Sequence, residues 1–127
     1  MMSFSLQTIY RQLKNHFDGV CERSFIENAP NAVAEPMASY LVLDVFDIQR
    51  NRGTYRNSIL QILVGVRNKE SGVADITATD SIVNDVLSRI PYSDEYVSIT
   101  NPTVNTGLRE SVFTYSIITC SLIIKNQ

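Results

Sequence analysis

The spacing of apolar positions changes along the chain, and each change marks an element. Leu6, Ile9, Tyr10, Leu13 and Phe17 stand at i, i+3, i+4, i+7 and i+11. That stripe fits one face of a helix with 3.6 residues per turn. Ser3 or Ser5 can cap its start, and Asp18-Gly19 can end it. Gln7, Arg11, Lys14 and Asn15 fill the opposite face. Residues 20–38 lose this period. Ala29-Pro30 and Glu35-Pro36 disfavour helix, so the stretch reads as an irregular surface crossing. Residues 39–48 and 58–67 are then β-like. In the second run Leu60, Ile62, Val64 and Val66 alternate with Gln61, Gly65 and Arg67, and Leu63 is the exception. The polar, glycine-containing stretch 49–57 between them reads as the tip of an antiparallel hairpin.

After a turn at 68–72 the helical period returns over 73–89. Ile76, Val83, Val86, Leu87 and Ile90 line one side, Asp75, Asp80, Asn84 and Asp85 mostly the other, and Pro91 stops it. Residues 95–100 then predict a short strand, 101–107 a turn-rich loop, and 110–125 one long β-branched and aromatic strand. The order is α-β-β-α-β-β. It predicts a single α+β domain over 1–127: an antiparallel sheet of about four strands with two helices packed on one face.

The last strand raises a question of size. About fourteen residues at roughly 3.3 Å each reach about 46 Å. A compact chain of this length is only about 36 Å across. The strand must therefore bend, at a bulge near Ser116 or Thr119, or project and be covered. Both of its faces are apolar: Phe113, Tyr115, Ile117 and Ile123 on one, Ile118, Cys120, Leu122 and Ile124 on the other. With only two helices to cover them, a second subunit is the expected cover, and Phe113, Tyr115, Ile117, Leu122 and Ile124 are the candidate oligomer interface. The alternative is that the first helix covers one face and the 20–38 crossing the other. An exposed edge of this strand could also add a partner strand.

Composition narrows the chemistry. The chain has 127 residues and a net charge of −2, so nothing pulls it generally towards DNA or an anionic membrane. Neither Cys21 nor Cys120 sits in a metal-ligand or CxxC spacing, and both are expected as reduced, buried or half-buried thiols. Residues 117–124 are too short to span a bilayer, and Met1-Met2-Ser3-Phe4-Ser5 does not resemble a signal peptide, so folding in a reducing cytoplasm is expected. The lone histidine, His16, has no carboxylate four residues on, and the aspartates at 75, 80 and 85 rotate away from a common face. Asp44 and Asp47 point to opposite faces of a strand. No phosphate loop or nucleophile elbow occurs. No enzyme is expected, and no metal or cofactor. If there were an activity, His16, Asp44 and Tyr115 would be its only participants. Arg50, Arg52 and Arg56, with Tyr55, put a basic cluster on the hairpin tip. It reads either as a partner contact or as a solvated loop.

Three stretches carry a resemblance. They are Gly53-Thr54-Tyr55-Arg56 ahead of Leu60-Gln61-Ile62-Leu63-Val64, Ser71-Gly72-Val73-Ala74-Asp75 opening a helix, and Thr106-Gly107-Leu108-Arg109-Glu110-Ser111 leading into the final strand. Together with length and element order, they make the chain similar to the tail terminator and head–tail joining (minor tail, tail completion) proteins of long-tailed bacteriophages. The resemblance implies a non-enzymatic virion structural protein that forms a ring, commonly a hexamer, in the tail, assembled in the host cytoplasm. It would cap the finished tube, stop its growth and join tail to head. Its partners would be itself, the tail tube protein and the head–tail connector. It would bind no membrane and no specific nucleic acid, although DNA can pass through such a ring. Arg50, Arg52, Tyr55 and Arg56 would touch a partner. The alternative is a small dimeric α+β binding module that recognises a peptide or small ligand.

Overall fold

The computed structural model describes residues 5–28, 37–49 and 55–125. Helix α1 (Leu6–His16) begins where the Ser5 hydroxyl accepts the Thr8 amide at 3.2 Å. Helix α2 (Ile76–Ser88) begins where Asp75 Oδ1 accepts the Ala78 amide at 3.1 Å. The helix expected from 73 therefore starts three residues later. The Asp75 carboxylate satisfies a backbone donor that the first turn leaves open, which fixes the start.

The strands are β1 (Arg23–Ile26), β2 (Ser39–Phe46), β3 (Tyr55–Arg67), β4 (Tyr92–Ser93), β5 (Val97–Arg109) and β6 (Phe113–Lys125). They form one six-stranded sheet in the order β1-β2-β3-β6-β5-β4. β1 lies parallel to β2, and every other pairing is antiparallel. The sheet is mixed and curled into a half-barrel. This overturns the expected antiparallel sheet of about four strands in the order α-β-β-α-β-β; the chain runs α-β-β-β-α-β-β-β.

Each departure has a physical cause. β1 is four residues long and pairs along an edge of β2, too short for its own periodicity to show within the 20–38 crossing. Residues 101–107, expected as a loop, continue β5, because pairing to β6 outweighs the turn-forming residues. The turn chemistry is absorbed as two register shifts, between Thr100 and Thr103 and between Asn105 and Leu108. Asn101 (φ 54°) and Gly107 (φ 82°) supply the left-handed backbone these bulges need. Pro102 falls inside the first, where no ladder donor is missed. The Thr103 hydroxyl donates to the Thr119 carbonyl at 3.3 Å, and the hydroxyls of Thr106 and Ser116 meet at 2.7 Å across the second gap. The bend expected in the final strand thus lies in its neighbour, facing Cys120 and Ser116, while β6 pairs with β3 over thirteen positions without a break.

Both helices sit on one sheet face. α1 and α2 cover Leu41, Leu43, Leu60, Ile62, Val64, Ile118, Cys120, Leu122 and Ile124 to form the main core. The Tyr10 hydroxyl fits the edge of β2 beyond the end of β1 and accepts the Val45 amide at 2.9 Å. At their C-terminal ends the helices are tied to each other. His16 Nε2 donates to the Arg89 carbonyl at 2.9 Å, and the Arg89 guanidinium donates to the carbonyls of His16 (3.0 Å) and Asp18 (2.9 Å). The opposite face has a smaller cluster of Met37, Tyr40, Val42 and Phe113, with Phe25, Leu63, Val112 and Tyr115 against it.

Candidate functional site

The face without helices holds a groove built by the register of four strands. Alternation along the strands puts Tyr40, Gly65, Tyr115 and Leu108 in one row across β2, β3, β6 and β5. Leu63 and Ile117 pair in the next row on that face. Gly65 has no side chain, and the Tyr40 ring lies over its Cα. A β-carbon at Gly65 would stand 2.6 Å from Tyr40 Cε1, far inside contact distance. A glycine inside a strand often marks such a close approach. The laid-over ring packs edge-on to Phe113, with centroids 5.2 Å apart, and to Tyr115 at 6.4 Å. Burial, then a hydrogen bond to Tyr115, hold the Tyr40 phenol well above its usual pKa.

Beside these rings opens a groove of about 340 Å³, lined by Tyr40, Leu63, Leu108, Glu110, Tyr115 and Ile117. That volume is at the low end of small-ligand sites. One wall is fixed by Asn68, which is buried. Its amide donates to the Glu110 carbonyl at 2.8 Å and its Oδ1 accepts the Thr114 hydroxyl at 2.6 Å. Its backbone N–H donates to the Val112 carbonyl at 2.8 Å. These bonds hold the β5–β6 turn and so place Glu110 at the groove rim. Arg67 Nε donates to the Met37 carbonyl at 2.8 Å while its guanidinium covers the Phe113 ring. On the helix side a smaller hollow of about 190 Å³ lies between the start of α2 and β5.

The expected site residues scatter. Arg50 and Arg52 lie outside the described residues. Tyr55 is exposed at the start of β3, and Arg56 is half-buried. Of the expected interface, Tyr115 and Ile117 line the groove and Phe113 is buried in the outer cluster, but Leu122 and Ile124 lie in the main core beneath the helices. Nor does the final strand offer an edge, since β6 is paired on both sides. His16 stacks on Tyr92 with centroids 3.6 Å apart, on the helix side. Asp44, in the row of Gln61 and Thr119, lies four residues along the sheet from Tyr115, roughly 13 Å. The three candidates for an activity are therefore not brought together. Among the described residues no three of His, Cys, Asp or Glu gather to hold a metal, and no helix is long and apolar enough to cross a membrane. Cys21 and Cys120 are free thiols. Burial pushes both up to about 11.

Sequence reasoning missed Tyr40, Leu63, Leu108 and Glu110 as a group. The signal available was Gly65 in mid-strand, together with Leu63 breaking the alternation on the same face. No protein-family model matches this sequence, and a search of curated proteins finds no similar one.

Proposed function

We propose that this chain is a non-enzymatic structural subunit that closes into a ring at the end of a phage tail tube, stops its growth and joins tail to head. The observation that carries this reading is the sheet face opposite the helices. Three strands of thirteen residues run across it. On it Leu63, Tyr115 and Ile117 stay half-buried and Leu108 exposed, with nothing of the described chain laid over them. Apolar surface of this kind is what a neighbouring subunit covers. The contact residues on that face are Tyr115 and Ile117, joined by Leu63 and Leu108; Leu122 and Ile124 are already used inside. A head-to-tail contact between identical copies closes as a ring when the rotation allows, and six copies is the expected order. The basic tip with Arg50, Arg52, Tyr55 and Arg56 is the second contact element, towards tube or connector.

Light scattering after size-exclusion chromatography tests the reading, on the protein alone and mixed with a tail tube protein. Assembly in either condition supports it, and a strict monomer in both sinks it. The groove favours a second reading, a small binding module for a peptide or small ligand. A stoichiometric ligand that raises the melting temperature of a non-assembling protein would select that reading.

A further inference from the structure

The outer face already lays guanidinium groups on aromatic rings. Arg23 Cζ is 5.3 Å from the Phe25 centroid, and Arg67 Cζ is 4.8 Å from that of Phe113. A cation over a ring face is held by the ring quadrupole, and arginine adds planar stacking. Tyr40 and Tyr115 instead line an open groove with Glu110 at its rim. Glu110 is exposed, and its carboxylate makes no hydrogen bond or ion pair among the described residues. It is also near enough to Tyr40 to be felt as a charge. The rest of the lining is aliphatic: Leu63, Leu108 and Ile117. Of the two phenol rings only Tyr115 is half-exposed, since Tyr40 is buried in the outer cluster. A groove with an apolar floor, one accessible phenol ring and, among the described residues, one unpaired carboxylate suits a long side chain with a cationic end.

We propose that this groove receives an arginine side chain from another protein chain, its methylenes on Leu63, Leu108 and Ile117 and its guanidinium between the half-exposed Tyr115 ring and Glu110. The planar fork of arginine can pair with the carboxylate while stacking on a ring, which an ammonium cannot do.

Among the described residues the chain's own arginines do not fill the site. Arg11 is exposed on α1, on the helix side of the sheet. Arg23 and Arg67 lie on their phenylalanines. Arg89 binds Asp85 and the end of α1, on the helix side. Arg56 and Arg109 pair in register with Ile124 and Thr114, at positions that face the helices.

The test is a titration of methyl-labelled full-length protein with the peptide acetyl-Gly-Arg-Gly-amide, and with the same peptide carrying citrulline. Citrulline keeps the shape and loses the charge. The expected result is saturable shifts of the Leu63, Leu108 and Ile117 methyls at millimolar arginine peptide. Affinity should fall at least about fivefold for the citrulline peptide. Glu110→Gln should lower arginine-peptide affinity by a similar factor, with the Asn68 and Thr114 resonances unmoved as the check on the fold. Tyr115→Leu, read the same way, should weaken binding again. Equal affinity for the two peptides, no saturable shift at these methyls, or an affinity indifferent to Glu110→Gln overturns the proposal. The inference rests on the groove alone. The ring reading is judged by particle mass, so either can fail while the other stands.

Discussion

Single residues set the geometry of the outer face, and Gly65 sets most of it. Gly65→Ala places a methyl 2.6 Å from Tyr40 Cε1, so the ring must leave its seat against Phe113. Overpacking of this kind costs about 1–3 kcal/mol. Chemical denaturation should show that loss, and Tyr40→Leu in the same chain should recover much of it, because the two changes share one contact. If the single variant is neutral, the ring is not seated as described. The thiols give a second check. With folded-state values near 11, raised by burial, Cys21 and Cys120 should react with iodoacetamide at pH 8 far more slowly than in the urea-unfolded chain. A raised folded value also means their contribution to stability is present below the unfolded thiol value and is lost as pH rises towards 11. Asp94 works in the opposite direction. Burial tends to raise its carboxyl, but hydrogen bonds from the Tyr92 hydroxyl and the Val97 and Tyr96 amides outweigh that and hold it below the usual range. Its contribution is therefore present above the unfolded value of about 3.9 and is lost as pH falls through the lower folded value. An acid titration followed by circular dichroism should show Asp94→Asn losing less stability over that window than the parent. An identical acid slope would mean the turn bonds do not bias the carboxylate.

At the scale of elements, the two helices depend on each other through their C-terminal ends. Arg89 donates to the His16 carbonyl at the end of α1 and to the Asp18 carbonyl just beyond it, and is itself held by Asp85 at 3.1 Å, while His16 returns a bond to the Arg89 carbonyl. Helix C-termini leave carbonyls without intrahelical partners, and a cationic donor satisfies them. Arg89→Ala should therefore destabilise by about 1–3 kcal/mol, read as a shifted denaturation midpoint. Arg89→Lys should recover only part, since an ammonium does not reproduce the fork. A change within about 0.5 kcal/mol would place this bond among ordinary surface contacts. Elements also show where the sequence was legible. The helices and the hydrophobic alternation of β3 were readable because each side chain reports its own local period. β1 and the far half of β5 were not. Their state is decided by strands distant in sequence, and Asn101, Pro102 and Gly107 carry local turn preferences that the pairing overrides with bulges. The groove was hidden for the same reason: its row draws one residue from each of four strands, and only the register brings them together.

The whole molecule has two sheet faces with different duties, and β6 lies between them. Sequence alternation shows that both faces of this strand are apolar; it does not show that the helices serve only one. In the folded chain Leu122 is in the main core, whereas Ile117, five residues away on the opposite face, lines an open groove. Chemically similar substitutions at these two positions should therefore have different consequences. Leu122→Ala removes core volume under the helices and should cost about 2–5 kcal/mol whether or not the protein assembles. Ile117→Ser removes half-exposed surface and should cost the monomer less, while weakening any assembly that covers this face. Tyr55→Ala, at the exposed start of β3, should likewise leave the fold in place, since exposed substitutions rarely exceed about 0.5 kcal/mol, and should weaken the second contact. Denaturation midpoint and particle mass, measured on all three variants, separate the outcomes. Loss of mass with stability retained in Ile117→Ser identifies the outer face as the one that other copies cover. Unchanged mass in that variant, from a parent that assembles, moves the contact to another surface and removes the main support for a ring built on this sheet.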